Sequence, residues 1–231
     1  MTPRLCWIVP LLFAAGLSAA SDQAESRHAA REVTADTNPD SGFWREAPAI
    51  FFETDSRGNP QPGYRTEVRS RWTESNLYLL FICPYEELYL KPDSRTDVET
   101  NQLWKWDVAE AFIGSDFRNI RTYKEFEVSP RAEWVDLDID LDSPHHEDGW
   151  LWNSGFQVAA RIDTAAKRWY AFMRIPFASV DSRHAAAGNV LRINFFLSEG
   201  QPPNHKGLTW RPTGRATFHV PEAFGTLRLA P

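Results

Sequence analysis

The sequence predicts an all-β domain, an antiparallel β-sandwich of jelly-roll or immunoglobulin-like kind with about ten strands. Three observations carry that expectation. From residue 43 onward apolar residues recur with a period of two rather than 3.6. Clusters of Gly, Pro, Asn and Asp, at 57–63, 142–153 and 199–207, interrupt the alternation as turns do. No segment has a persuasive helical face, the best candidate being the short stretch 178–187.

Taken in chain order, residues 1–20 read as a secretory signal. Arg4 supplies the charged start, residues 5–17 an apolar run with Trp7, Ile8, Val9 and Phe13, and Ser18, Ala19 and Ala20 the small residues of a cleavage site. The run is shorter than the ~20 residues a membrane span needs, and no later stretch is long and apolar enough to cross. The reading is therefore an extracytoplasmic protein, periplasmic or secreted, with no membrane partner after cleavage. Residues 21–42 are polar and lack periodicity, which suggests a linker or N-terminal arm. The domain body is expected over 43–231. Within it, 66–72 alternates, 76–83 is a continuous β-rich run, and 108–114, 123–129, 134–141, 156–162, 169–176, 191–198, 208–211 and 226–229 complete the strands.

The chain has 231 residues, 42% hydrophobic and 24% charged, with 12 Gly and 16 Pro, which excludes collagen-like, coiled-coil and disordered classes. Lys and Arg number 25 against 31 Asp and Glu, a net charge of −6 that argues against a nucleic-acid partner. Once Cys6 leaves with the signal, Cys83 cannot form an intramolecular disulfide, and its apolar run makes it a small buried hydrophobe. The core alone must hold the fold, and about 210 residues suffice for that. The outlying number is 10 Trp.

Strand parity sorts core from surface. In the strand at 108–114, Ala109, Ala111 and Ile113 suit the core, and Val108, Glu110 and Phe112, with Trp106 just before the strand, take the other face. In the next strand Phe126 and Val128 are core-like, while Tyr123, Glu125 and Glu127 point the other way. A face of rings and carboxylates suits sugars: a pyranose stacks its C–H face on a flat ring, and its hydroxyls donate to carboxylates. The same rings could equally be covered by long loops.

Residues 134–142 place Asp136, Asp138, Asp140 and Asp142 on one face. Such hard oxygen ligands suit a structural calcium ion, and they equally suit an outer strand whose charge resists aggregation. The pair His145 and His146 lies in an acidic loop without the helical spacing of a zinc site. There is no GxSxG, no phosphate loop and no Cys-based nucleophile, so the site classes that remain are binding or carboxylate chemistry.

The chain also resembles the carbohydrate-binding family 9 (CBM9-like) domains. The resemblance runs through Phe43-Trp44-Arg45-Glu46-Ala47, similar to a W-x-x-A start, and Trp104-Lys105-Trp106-Asp107-Val108-Ala109-Glu110-Ala111-Phe112, similar to a W-x-x-D-x-V-E-x-F block. It continues through residues 123–130 (YKEFEVSP), Ile175-Pro176-Phe177, Trp210-Arg211-Pro212-Thr213 and residues 218–229 (FHVPEAFGTLRL). It implies a β-sandwich that binds plant polysaccharides or oligosaccharides of xylan or cellulose type, associated with glycoside hydrolases in carbohydrate catabolism, and containing structural calcium. Two rings of the family's sites sandwich a sugar; Trp104 matches the first, Phe218 falls at the second, and Glu110 matches a hydroxyl-binding Glu. A ligand-binding Arg of the family falls on Glu127, which reverses the charge. Neighbouring Trp106 or Trp210 could replace a missing ring.

Two other functions fit parts of the sequence. Related sandwiches resembling the DOMON group hold haem b for electron transfer with Met and His or Lys ligands; here Met173 is the Met left after signal loss, and its parity makes it core. A glycoside hydrolase would need two carboxyls about 5 Å or 6.5–9.5 Å apart across a cleft, with Glu110 and Glu125 or Glu127 as candidates.

Overall fold

The computed structural model describes residues 22–231; the expected signal at 1–20 lies outside them. Among the described residues there are thirteen strands: β1 (Gln23–His28), β2 (Ala49–Phe52), β3 (Thr54–Asp55), β4 (Thr66–Trp72), β5 (Asn76–Pro84), β6 (Val108–Gly114), β7 (Thr122–Val128), β8 (Trp134–Asp140), β9 (Gln157–Asp163), β10 (Arg168–Pro176), β11 (Val190–Glu199), β12 (Lys206–Thr209) and β13 (Gly225–Ala230). The strands expected from the period of two correspond to β4 through β13. The stretch 178–187 contributes only one helical turn, α1 (Phe177–Val180).

The all-β expectation holds, but the all-antiparallel jelly-roll or immunoglobulin-like sandwich of about ten strands does not. One continuous, nearly closed, barrel-like sheet runs in the order β8-β7-β6-β11-β13-β1-β4-β5-β10-β9. Its seam is β1, which pairs parallel with β13 along Gln23–Arg27 and parallel with β4 at Arg27 and His28. The other pairings are antiparallel. A strand with parallel neighbours on both sides joins what would otherwise be two facing sheets.

The side chains that fill the interior are those that parity selects. Ala109, Ala111 and Ile113 of β6, Phe126 and Val128 of β7, and Phe195 and Leu197 of β11 meet Leu79, Phe81 and Cys83 of β5 and Met173 of β10 in one cluster. Phe81 and Phe195 touch edge to face across it, centroids 5.7 Å apart. Each fully buried side chain of this size stabilises by roughly 1.5–3 kcal/mol. Met173 and Cys83 are wholly enclosed there, in the core positions expected from strand parity and from the apolar run, and burial pushes the Cys83 thiol well up.

The polar stretch after residue 21 is not a free linker. Besides forming β1, it docks on the outer face of β5 and β10, where Ala29, Phe43, Trp44 and Ala47 cover Tyr78, Leu80, Tyr170 and Phe172. The Glu32 carboxylate accepts from Thr73, Tyr78 and Asn76 (2.7 Å from Asn76 Nδ2) and pairs with Arg174 at 3.3 Å. The indole N–H of Trp44 donates to the Asp36 carbonyl at 2.8 Å.

Candidate functional site

Across β8, β7, β6 and β11, the face opposite the core carries two cross-strand rows. One reads Val135, Glu127, Glu110, Phe196; the next reads Leu137, Glu125, Phe112, Asn194. Carboxyls thus stand in the middle of a largely apolar surface, because Glu110 pairs with Glu127 and Phe112 with Glu125. Parity placed Glu110, Phe112, Tyr123, Glu125 and Glu127 on this common face. Loops cover the face, the alternative that its rings left open, and Glu110, Glu125 and Glu127 are all almost fully withdrawn from solvent.

A cavity of about 430 Å³ remains between the sheet and its cover, within the range of small-ligand sites, about 300–1,000 Å³. Glu110, Glu125 and Ser198 supply its polar base, Phe112, Leu137 and Ile139 its apolar floor, and Trp104, Phe218, His146 and His219 its ring-bearing walls. Each wall is anchored locally. Trp104 sits in a 3₁₀ turn (Leu103–Lys105) entered through Gln102 in a left-handed conformation (φ 63°), with Leu103 fully buried as its foot. Just beyond, the Asp107 carboxylate accepts from the backbone N–H of Tyr89 (2.8 Å) and of Gly200 (2.7 Å), fixing the far end of the turn. Trp104 is held half-exposed between these two anchors.

Phe218 stacks on Phe196 of β11, centroids 4.3 Å apart and planes 17° off parallel. It fits there because Gly207 of β12 has no side chain; a Cβ would lie 2.8 Å from the ring. His219 stacks on Phe112 at 5.3 Å, meets His146 edge-on at 4.9 Å, and shares a 2.6 Å hydrogen bond with the Tyr123 hydroxyl. Burial drives its imidazole down to about 4, so it is neutral near pH 7.

The carboxyls behave as one group. An acceptor oxygen from each of Glu110, Glu125 and Glu127 lies within 4.8 Å of the other two. The Ser198 hydroxyl donates to Glu110 at 2.9 Å, whereas one oxygen of Glu125 and both oxygens of Glu127 lack a donor. Burial pushes all three upward, Glu125 to about 7, and the negative neighbours push Glu110 and Glu127 further. Glu125 and Glu127 are close enough to share a proton, which accounts for oxygens that find no N–H.

The structure sorts the expected sugar contacts. Trp104, Glu110 and Phe218 line one cavity. Glu127 lies behind Glu110 and Glu125 rather than on the wall. Tyr123 is buried beneath His219 and reaches the cavity only through it, and Trp106 is half-buried away from it under Lys91. Trp210 packs in the core against Phe195. Glu125, which shared the parity of Glu127, belongs on the wall in its place. Ser198, His146 and His219 carried no local signal of a site; they arrive from β11 and two loops distant in sequence.

The Asp row does not assemble a calcium site. Asp138 pairs with Lys124 at 2.5 Å and Asp142 with Arg121 at 2.6 Å, Asp140 accepts from the backbone of Asp142, and buried Asp136 accepts from Ser154. These residues serve ion pairs and a loop cap. Among the described residues, the cluster with three metal-type ligand atoms close together is Glu110, Glu125 and Glu127.

Known proteins resemble the chain at several levels. An extracellular protein from Arthroderma benhamiae is 27% identical over 179 residues, 71% of this chain and 78% of that protein. A carbohydrate binding module family 9 from Caldicellulosiruptor kristjanssonii, solved with cellotriose, superposes with a TM-score of 0.64 at 12% identity, covering 90% of this chain and 93% of that one. The same module with glucose gives 0.63 at 12%, covering 90% and 95%. A Bacteroides uniformis structure gives 0.69 at 14%, covering 90% and 98%. At such identities the structures speak for the fold, and the sequence itself matches the family over residues 36–231, from the docked arm to the final strand. The chain belongs to the Carbohydrate family 9 binding domain-like family.

Proposed function

We propose that this protein binds carbohydrate without catalysis outside the cytoplasm, taking a sugar unit of a plant-type polysaccharide or oligosaccharide, of xylan or cellulose kind, in the cavity walled by Trp104 and Phe218. In that role it supports breakdown by separate glycoside hydrolases. The observation that carries the reading is the joining, in one cavity, of two half-exposed rings with the acceptor oxygens of Glu110 and Glu125. Rings meet the C–H face of a pyranose, and carboxyls and Ser198 meet its rim. The related module's complexes with cellotriose and glucose, and the extracellular relative, support the same reading.

The carboxyl arrangement supports binding over hydrolysis. Glycosidase carboxyls flank a bond from opposite sides. Glu110, Glu125 and Glu127 instead crowd together on one pair of strands at the cavity base, leaving no room for a sugar between them. The burial of Met173 in the apolar core likewise speaks against haem ligation.

Isothermal titration with cello- and xylo-oligosaccharides tests the proposal. The expected affinity is μM to mM, about 4–8 kcal/mol, and Trp104→Ala is expected to weaken it about ten-fold or more. Absence of heat with every sugar, in protein shown to be folded, rejects it.

A further inference from the structure

We infer that the cavity prefers a sugar bearing a protonated amine, an amino sugar in which an ammonium replaces one hydroxyl, with Glu110 and Glu125 as its direct acceptors and Glu127 as the charge behind them. This rests on the carbohydrate reading above and narrows it to a ligand class.

The polar inventory of the cavity is lopsided. A neutral pyranose hydroxyl both donates and accepts, so a site shaped for it offers donors as well as acceptors. Here the base offers carboxyl oxygens, the Ser198 hydroxyl is already committed to Glu110, and the exposed amide of Gln102 is the neutral side-chain donor that remains beside the histidines and the Trp104 indole. Neither Lys nor Arg lines the cavity, and Glu147 adds a further carboxylate at the wall. Glu127 is wholly buried, no cationic side chain reaches its oxygens, and one of them lies within 4.8 Å of acceptor atoms of both Glu110 and Glu125. Carboxyls buried and crowded in this way stay un-ionised only by holding protons, and an arriving cation takes the place of a proton and lets them ionise.

An ammonium is the complementary group. It has three N–H donors and no acceptor, and its charge-assisted bonds reach about 2.7–2.9 Å, a span that matches oxygens separated by up to 4.8 Å. Aromatic faces attract an organic cation further, and Trp104, Phe218 and Phe112 surround the cluster. A bare calcium ion would want six to eight oxygens, whereas the floor beside the carboxyls is Phe112, Leu137 and Ile139. Rings and aliphatic groups fit the body of a sugar and leave a naked metal under-coordinated.

The test is titration of the full chain with glucosamine, glucose and N-acetylglucosamine, the last keeping the ring and nitrogen but losing the charge, with a parallel calcium titration. Glucosamine is expected to bind at least about ten-fold more tightly than either neutral sugar, the scale of one charge-assisted hydrogen bond. In Glu125→Gln and in Glu127→Gln the ratio of glucosamine to glucose affinity is expected to collapse toward one. Thermal unfolding of each variant establishes that it is folded. Equal or tighter binding of glucose overturns this inference and leaves the carbohydrate reading standing. Absence of binding by any sugar overturns both. Calcium binding that displaces glucosamine and is lost in Glu125→Gln also overturns it, in favour of a metal site.

Discussion

Glu110 on β6 and Glu127 on β7 are direct cross-strand partners on one face of the sheet, and both are shut off from solvent. Like charges directly opposite destabilise a strand pair, and Glu125 crowds the same spot. The protein tolerates this by holding protons on the group, the sense in which all three carboxyls are shifted. Ionisation is thus opposed at the base of the cavity, and a cationic ligand or a carboxyl-to-amide mutation relieves that opposition.

Glu127→Gln tests that statement. The amide keeps the shape, removes one negative charge and can donate to Glu125. Without ligand at pH 8, the variant is expected to be more stable by about 1–3 kcal/mol, or roughly 2–12 °C in Tm for a domain of this size. A lowered Tm would mean that a bound cation already balances Glu127 in the free protein.

Stability should also fall as the solution becomes alkaline. Glu199 at the end of β11 is buried with both oxygens unpartnered, and burial, then the charge of Asp107, pushes it up to about 9 against an ordinary 4.5. A carboxyl whose folded value is raised binds its proton more tightly in the native state. Its favourable contribution is therefore complete below about 4.5 and is lost as pH rises toward 9. His219, held down at about 4, works in the opposite sense only between its ordinary 6.5 and 4. Between pH 6.5 and 9 Glu199 contributes on the order of 3 kcal/mol, and Glu99, Glu125, Glu110 and Glu127, all raised in the same sense, add to the loss. Thermal unfolding across that window should show Tm falling by several degrees, and Glu199→Gln should make the fall measurably shallower while the other raised carboxyls keep part of it. A flat profile in the parent chain would contradict the burial argument.

How much of this was legible in the sequence depended on whether the signal was local. Period two located β4 through β13, and parity alone put Ala109, Ala111 and Phe126 inside and Glu110, Glu125 and Glu127 together on the other side. β1 escaped because its inward residues are Ala24 and Ser26, too small to stand out from a polar arm. The parallel seam it makes has no local signature. The depth of the carboxyl cluster was equally unreadable, since it depends on covering loops around Trp104, His146 and Phe218 that come from three separate parts of the chain. The same holds for Tyr123: parity gives its face, and only the cover, here His219, decides what reaches the cavity.

The wall formed by Phe218 can be moved without touching the carboxyls. In Gly207→Ala the new methyl would meet the Phe218 ring at 2.8 Å and 3.1 Å, so the ring must tilt off Phe196. The backbone at Gly207 is not in the left-handed region, and the ring edge can yield, so the stability cost should stay near about 1 kcal/mol. Affinity for cello-oligosaccharide is expected to fall several-fold, the loss of part of one stacking contact. Unchanged affinity would remove Phe218 from the contact surface and leave Trp104 as the main ring.

The Asp row separates two kinds of carboxylate on one strand. Asp138 is 44% exposed at its side chain and pairs with Lys124; such solvent-screened pairs contribute about 0–1 kcal/mol, so Asp138→Ala should change unfolding by less than about 1 kcal/mol. Asp136, two residues earlier, is fully buried, accepts from the backbone N–H of Ser154 at 2.8 Å and from its hydroxyl, and faces Glu99, whose carboxyl is raised to about 8 by burial and by the bond to Asp136. Asp136→Ala removes the acceptor of both Ser154 bonds and empties a fully buried position, a loss of about 1–3 kcal/mol. Urea denaturation at pH 7 should therefore rank Asp136→Ala well below Asp138→Ala in stability. Asp136→Asn should fall between them, because the amide oxygen still accepts from Ser154 and the amide nitrogen can donate to Glu99. If the row instead held calcium, Asp138→Ala would be as damaging as Asp136→Ala, and EDTA would lower the Tm of the parent chain to match.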